Sequence, residues 1–276
     1  MFLDILKAII YGVVEGITEW LPISSTGHLI LLERILPLRA SDAFMEMFDV
    51  VIQLGAILAV ILLFFHKLNP FSPRKSTAQK KDTWILWIKV IVAVIPSALL
   101  GFLLDDWLDE NLYNYVVVAV MLILYGAAFI LAERRNKGLK PAIRSVDQID
   151  DKTALMIGCF QVLALIPGTS RSGATILGAL LLGISRTAGA EFSFFLAIPT
   201  MLGASLLKTV KFVVEGNTMT GGEVVSLILG CVVAFIVSLL TIRALMDYVK
   251  KHSFSLFGVY RIVLGAVVLL VFLIAR

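Results

Sequence analysis

The chain has 276 residues, of which 59% are hydrophobic and 16% are charged, and its mean hydropathy is +0.95. Soluble domains are about 45–50% apolar and about 25% charged, so this composition excludes an ordinary soluble protein and predicts a single all-α membrane domain over residues 1–276. The net charge of +4 lies mostly in loops between apolar stretches, which argues against nucleic-acid binding.

The first apolar stretch begins at Ile5, is interrupted at residues 21–27, and resumes from His28 to Leu36. A helix needs about 20 residues to cross a hydrocarbon core about 30 Å thick, and arms on either side of a break are mostly shorter. Broken apolar segments of this kind are typical of re-entrant helix–loop–helix hairpins. A second broken stretch covers residues 153–184, with its break at residues 167–173.

Each broken stretch is followed by three apolar runs that are long enough to span a membrane. The six predicted spans are Phe44–Phe65, Trp84–Leu104, Tyr113–Ala132, Phe192–Phe212, Gly222–Ile242 and Phe254–Ala275.

The two broken stretches also resemble each other at a shift of 146 positions, which indicates an internal duplication with a first repeat at 1–140 and a second at 141–276. The shift superimposes Gly12 on Gly158, Glu15 on Gln161, Ser24 on Ser170, Thr26 on Ser172 and Gly27 on Gly173.

The loops alternate in charge along the chain. Lys and Arg are concentrated at residues 67–81, 134–152 and 250–251, which the positive-inside rule assigns to the cytoplasm. Acidic loops at residues 105–110 and 215–223 are then expected outside. The alternation is consistent only if both broken stretches return to the side they entered. Three spans per half then make the repeats inverted, which is typical of proteins with a site near the membrane midplane.

The first broken stretch contains Glu15 and Glu19, which are four residues apart and therefore share a helix face. Carboxylates at membrane depth are costly and indicate function, although a helix lying shallow at the interface is the alternative. The stretch has no A-x-A cleavage site and is expected to stay in the protein. Gly12 and Gly16 form a Gly-xxx-Gly pattern that permits close helix approach.

Both breaks group residues that suit phosphate. The first contains three hydroxyls, a glycine and an imidazole at the start of a half-helix, whose free N–H groups and dipole attract anions. An N-cap accounts for only one of these hydroxyls. The second adds a guanidinium, which binds phosphate oxygens bidentately. The candidate substrate-binding residues are Ser24, Thr26, Gly27, Thr169, Ser170, Ser172 and Gly173, with Gln161 and Thr175 expected to face the same cavity.

An anion site beside two carboxylates is repulsive unless a metal bridges them. Mg²⁺ typically binds one or two carboxylates together with substrate phosphates. We therefore expect Glu15 and Glu19 to hold a divalent metal, Mg²⁺ or Ca²⁺, in an enzyme of phosphoryl transfer on a membrane-embedded substrate.

Several motifs in this order resemble one family, the undecaprenyl-diphosphate phosphatases or bacitracin-resistance proteins, over nearly the whole chain. They are EGITE at 15–19, LPISSTGH at 21–28, VIQLG at 51–55 and PGTSRSGAT at 167–175. The resemblance implies hydrolysis of undecaprenyl diphosphate in the bacterial plasma membrane, recycling the lipid carrier of cell-wall synthesis. It also implies a divalent metal and a site facing the outer leaflet. The family's functional residues fall on Glu15, Glu19, Ser25, His28, Ser170, Arg171 and Thr175.

The expected roles are divided between the two breaks. Arg171, Ser170 and the loop amides bind the diphosphate, and the two glutamates hold the metal or orient a nucleophile. His28 is the general base or a phosphorylated nucleophile, and Ser25 is the competing nucleophile. The expected partners are a polyprenyl diphosphate and membrane lipid, with no nucleic acid, and a homodimer is left open.

Two other functions are compatible with parts of the pattern. Inverted repeats with broken helices are typical of secondary transporters, here of polyprenyl phosphate or another anionic lipid. The Ser-x-Gly-His and Ser-Arg fragments suggest a lipid phosphatase of the phosphatidic-acid-phosphatase type, but no second histidine occurs in a membrane break.

Overall fold

The computed structural model describes residues 2–274, apart from the side chains of Phe2, Asp105 and Asp109. Ala275, the predicted end of the last span, and Arg276 lie outside these residues. The described chain is helical, with short 3₁₀ turns at Val146–Gln148 and Leu163–Leu165. Its helices are α1 (Phe2–Thr18), α2 (Ser25–Ile35), α3 (Asp42–Val51), α4 (Gln53–Leu63), α5 (Phe65–Leu68), α6 (Thr77–Leu112), α7 (Tyr115–Asn136), α8 (Asp151–Val162), α9 (Arg171–Leu181), α10 (Arg186–Val214), α11 (Gly221–Val249) and α12 (Ser255–Ile274).

Six helical segments of the described chain are long and apolar enough to cross a membrane, which confirms the six predicted spans. They are Asp42–Leu63, formed by α3 and α4, then Thr77–Leu104, Tyr115–Asn136, Arg186–Val214, Gly221–Val249 and Ser255–Ile274.

Several of these helices begin well outside the apolar run that predicted them. Ser76 caps α6 before the run at Trp84, accepting from the N–H of Gln79 while the Gln79 side chain accepts from the N–H of Ser76. Such a capping box starts a helix in polar sequence. The apolar run therefore marks the part of the helix suited to the membrane and underestimates the helix itself.

Two helix pairs, α1–α2 and α8–α9, correspond to the broken stretches. α2, α8 and α9 contain 11 or 12 residues, which at 1.5 Å per residue gives about 16–18 Å, too short to span a membrane. Both second helices begin earlier than the sequence suggested, so Thr26 and Ser172, expected in loops, lie in first helical turns.

The early helix starts have one physical cause in both pairs. Ser24 and Ser170 are N-caps whose hydroxyls accept from the N–H of Gly27 at 3.2 Å and of Gly173 at 3.1 Å. Both serines have positive φ, 73° and 72°, an uncommon conformation for a residue other than glycine. The local backbone is thus the same at two positions that are 146 residues apart.

The ends of each pair contact each other. At the first pair, the amine of Lys7 donates to the carbonyl of Pro37 at 2.5 Å. At the second, Ile143, which precedes α8, forms a β-bridge with Ile184, which follows α9. The start of α1 and the end of α2 therefore lie at one end of the bundle, and the same holds for α8 and α9.

Small residues allow helices to pack closely along their most extensive contacts. α1 lies along α11, α6 along α8 and α7 along α12. A Cβ on Gly12 would lie 2.6 Å from the carbonyl oxygen of Gly230, and one on Gly16 would lie 2.8 Å from that of Ala234. The close approach predicted from the Gly-xxx-Gly pattern is confirmed, with α11 as the partner.

Candidate active site

The two breaks meet inside the bundle. The Ser172 hydroxyl, in the first turn of α9, donates to the backbone carbonyl of Glu19 at 2.9 Å, just after the end of α1. Arg171 Nη2 donates to Glu19 Oε1 at 3.0 Å. Residues that are about 150 positions apart in sequence are thereby joined into one polar centre.

Glu19 connects the residues of this centre through its two carboxylate oxygens. Its Oε1 accepts from Arg171, and its Oε2 accepts from the Ser25 hydroxyl at 2.9 Å. The side chains of Arg171 and Glu19 are only 10% and 8% exposed. A buried carboxylate is tolerated when it is paired and hydrogen-bonded, and here both oxygens have partners.

Arg171 is held by a second set of contacts. Its Nη1 donates to the backbone carbonyl of Ser193 at 2.7 Å, and its guanidinium lies over the Trp20 ring at 5.7 Å. Thr175 supports Ser193 through a hydroxyl contact of 2.6 Å. The buried Nε of Arg171 has no partner among the described residues, so the guanidinium retains a donor for an anionic ligand.

Glu15 lies one turn before Glu19 and is fully buried. Neither of its carboxylate oxygens has a hydrogen-bond partner within the described chain. A buried charged carboxylate needs a counterion or a proton. The unpartnered carboxylate of Glu15 therefore fits a position beside a metal ion. No group of three His, Cys, Asp or Glu side chains that could hold a metal occurs within residues 2–274. The remaining ligands would therefore be substrate oxygens and water.

His28 lies in α2, and both of its ring nitrogens have partners other than Glu19. Its Nδ1 is 2.7 Å from the carbonyl oxygen of Ser24, which can only accept, so Nδ1 carries a proton. Its Nε2 is 2.7 Å from the Tyr260 hydroxyl, and the two rings are stacked. In neutral His28 the Nε2 lone pair accepts from Tyr260. The imidazole contacts neither the Ser25 hydroxyl nor the Glu19 carboxylate.

The other predicted binding residues divide into three groups. The Ser170 and Ser172 hydroxyls contact each other at 3.2 Å beside the centre, and the buried Thr169 hydroxyl has no partner in the described structure. Ser24, Gly27 and Gly173 form the helix starts, while Thr26 is half-buried in the first turn of α2. Gln161 is engaged elsewhere, donating to Ser97 at 2.6 Å and to Thr200 at 3.2 Å.

Sequence reasoning missed Arg261, which holds the two breaks together. This fully buried side chain of α12 donates to the carbonyl of Pro22 at 3.1 Å and to those of Gly168 and Thr169 at 2.9 Å each. The signal was present, because an arginine inside an apolar span indicates a specific role. Tyr260, its neighbour in sequence, and Ser193 were missed as well, and nothing in their local patterns distinguished them.

Comparison with known proteins identifies the family of this chain. A family model described as bacitracin resistance protein BacA matches residues 8–267. An undecaprenyl-diphosphatase of Enterococcus faecalis is 58% identical over 269 residues, which cover 98% of both chains. Proteins of the same name from Latilactobacillus sakei and Streptococcus thermophilus are 59% and 57% identical, covering 97% of this chain and 97% and 93% of theirs. The chain belongs to the BacA family of bacitracin resistance proteins.

Proposed function

We propose that this protein is a membrane phosphatase that hydrolyses undecaprenyl diphosphate to undecaprenyl phosphate and inorganic phosphate. Relatives that are 55–59% identical over nearly their whole length carry the name undecaprenyl-diphosphatase. The observation that carries the proposal is the buried contact of Arg171 and Ser25 with Glu19, which joins two helix starts within a bundle of apolar helices. Hydrolysis of undecaprenyl diphosphate recycles the lipid carrier of cell-wall synthesis.

The reaction breaks the anhydride bond of the diphosphate. The terminal phosphorus gains an oxygen that comes from water, and the bridging oxygen stays with the lipid phosphate. Arg171, through its free Nε, and the N–H groups at the start of α9 bind the phosphate oxygens and stabilise the charge that develops on them. Ser25, hydrogen-bonded to Glu19, is either the first nucleophile or the group that orients the attacking water.

Glu15 and Glu19 would hold a divalent metal, Mg²⁺ or Ca²⁺, together with the substrate. Such a metal neutralises phosphate charge and acts as a Lewis acid when bound. The support is the buried, unpartnered carboxylate of Glu15, one helical turn from a carboxylate already oriented by Arg171. If the metal is required, excess chelator abolishes phosphate release, and added Mg²⁺ or Ca²⁺ restores it.

The site lies between two re-entrant hairpins in an inverted repeat, α1–α2 and α8–α9. The hairpin ends support this, because α1–α2 ends at the Lys7–Pro37 contact while α8–α9 ends beside the basic loop of residues 134–152. Helix contacts support it too, since α1 on α11 and α8 on α6 exchange under the repeat. By the positive-inside rule the site opens toward the outer leaflet.

The test is phosphate release from undecaprenyl diphosphate by the purified protein. Wild type should turn over, and Arg171→Ala should lose about 10³–10⁵ in rate, the range measured for arginine fingers. Arg135→Ala, at an exposed arginine near the end of α7, is the matched control and should be unchanged. No phosphate release by properly folded wild-type protein with Mg²⁺ or Ca²⁺ present would reject the function.

A further inference from the structure

A cavity of about 530 Å³ lies between the middle of α1, the end of α2, α3 and the end of α10. Four carboxylates line it, against one lysine among its lining residues. The acidic residues are Glu33, Asp42, Glu46 and Asp49. Lys208, the lining lysine, donates to Glu46 at 2.8 Å, so the cavity keeps a strong excess of negative charge. We call it the acidic cavity.

Glu33, from α2, and Asp49, from α3, both line the acidic cavity. Carboxylates gathered in one cavity repel each other unless they share a proton or bind a cation. The Oδ1 atom of Asp49 is buried and has no hydrogen-bond partner in the described part of the chain, which leaves a ligand position open on this pair.

A separate observation points to a ligand in the same place. Tyr11 lines the acidic cavity from α1, is fully buried, and its hydroxyl has no partner within residues 2–274. A buried hydroxyl without a partner is costly, and native structures satisfy such groups with protein, water or ions. Tyr11 OH and Asp49 Oδ1 thus both present unused oxygen atoms at one cavity.

From this geometry we propose that the acidic cavity binds a hydrated Ca²⁺ ion between Glu33 and Asp49, with the Tyr11 hydroxyl beside it. Hard cations prefer carboxylate, hydroxyl and water oxygens, and Ca²⁺ accepts six to eight of them in flexible geometry, whereas Mg²⁺ requires a near-ideal octahedron. The site is distinct from Glu15 and Glu19. It lies one turn further toward the start of α1, because Tyr11 and Glu15 share a helix face.

The position also suggests what the ion does. Tyr11 and Glu15 in α1 and Glu19 just after it follow one another at four-residue spacing, so they form a polar stripe from the acidic cavity to the contact with Arg171. The carboxylates of the acidic cavity attract divalent cations toward Glu15, and an ion bound there neutralises the charge at this end of the stripe.

Terbium luminescence tests the site without any measurement of activity. Tb³⁺ replaces Ca²⁺ and emits when nearby tyrosine is excited. The purified protein, stripped with chelator, is titrated with Tb³⁺ and then with Ca²⁺. A Glu15→Gln/Glu19→Gln double variant removes the proposed catalytic metal position. We expect it to keep a saturable signal that Ca²⁺ displaces at about 10⁻⁴–10⁻³ M, the range of extracellular Ca²⁺ modules.

Added to that double variant, Asp49→Asn and Glu33→Gln should each weaken Tb³⁺ binding at least tenfold. Tyr11→Phe should lower the emission per bound ion more than the affinity. Asp247→Asn is the matched control, since Asp247 pairs with Lys250 at 2.8 Å on another surface and should not matter. If the Asp49→Asn protein is not monodisperse, the Tb³⁺ affinity of the Glu33→Gln protein decides whether the site exists.

Two outcomes overturn the proposal. One is a signal that disappears in the double variant, which would place all binding at Glu15 and Glu19. The other is unchanged binding after Glu33→Gln. Because no turnover is measured, loss of this site and failure of the phosphatase function are independent results.

Discussion

The charges of Arg171 and Glu19 in the candidate site balance each other before any substrate enters. Arg171 is paired with Glu19, and Glu19 also accepts from Ser25. A diphosphate must share Arg171 with this carboxylate, so binding depends on the unused Nε of Arg171 and on the backbone N–H groups of α9. Arginine suits this position because its planar fork can serve two oxygen partners at once.

That arrangement separates the roles of Arg171 and His28. Arg171→Lys keeps the charge but loses the fork, and we expect it to lower kcat/KM by at least tenfold. His28→Ala should retain binding of a non-hydrolysable diphosphate analogue while kcat falls by about 10²–10⁴, the usual range for an acid–base group. Turnover and analogue binding measured on both variants decide this. Near-normal kcat/KM in Arg171→Lys would contradict the role of the fork.

Tyr260 provides the control for His28. Its hydroxyl is hydrogen-bonded to His28 Nε2 at 2.7 Å. His28 must therefore release this hydroxyl before Nε2 can act as a base toward another group. Tyr260→Phe frees Nε2 without removing the imidazole and should therefore cost much less turnover than His28→Ala. Equal losses in the two variants would show that the stacked pair acts only as a structural unit.

At the scale of helices, the sequence predicted which segments span and which are broken, because apolar length and hydroxyl-rich breaks are local signals. It did not predict what joins the breaks. Arg261, in α12, donates to carbonyls of both breaks, and it is 92 residues away in sequence from Thr169 in the nearer break. Such a contact follows from tertiary packing alone. Asp49, inside a predicted span, was missed although its charge at that depth was visible in the sequence.

Arg261→Met tests the joining of the breaks. The substitution leaves the carbonyls of Pro22, Gly168 and Thr169 without this donor, at a cost of about 1–3 kcal/mol for each buried group left unsatisfied. We expect a clearly lower Tm in detergent and a lower kcat with KM less affected. Arg243→Met, at an exposed arginine of α11, is the control. Wild-type Tm and kcat in Arg261→Met would exclude the role.

The distances between packed helices predict opposite effects on stability for alanine substitutions at two glycines. Gly12→Ala places a Cβ against the carbonyl oxygen of Gly230, on a backbone that cannot yield, and should destabilise by about 1–3 kcal/mol. Gly203→Ala, in α10, meets nothing within 4 Å and should be neutral or stabilise by up to about 1 kcal/mol through helix propensity. Thermal unfolding of both variants checks the pair, and a stable Gly12→Ala would reject the close contact.

For the whole molecule, the alternation of loop charge matches the packing at the two ends of the bundle. Basic residues 134–152 lie beside the end of α9, where Arg186 pairs with Glu133 at 2.5 Å. At the other end, Lys211 of α10 pairs with Asp106 at 2.9 Å, next to the acidic loop. Opposite loop charges therefore collect at opposite ends of the bundle. The charges of the loops could be predicted from the sequence. Which residues pair at each end of the bundle could be seen only in the folded structure.

The orientation can be tested with single cysteines on a background lacking Cys159 and Cys231. We expect Ser76→Cys, before α6, to be protected from an impermeant thiol reagent in intact cells, and Asn217→Cys, between α10 and α11, to be labelled. Ala40→Cys, after the first hairpin, should be labelled, whereas Leu139→Cys and Ser185→Cys, on either side of the second hairpin, should both be protected. For the second hairpin this pattern arises only if the hairpin returns to its own side, since a hairpin that crossed would expose one of the last two positions. Labelling of Ser76→Cys from outside would reverse the orientation, and a split result at Leu139 and Ser185 would reject the re-entrant geometry while leaving the six spans intact.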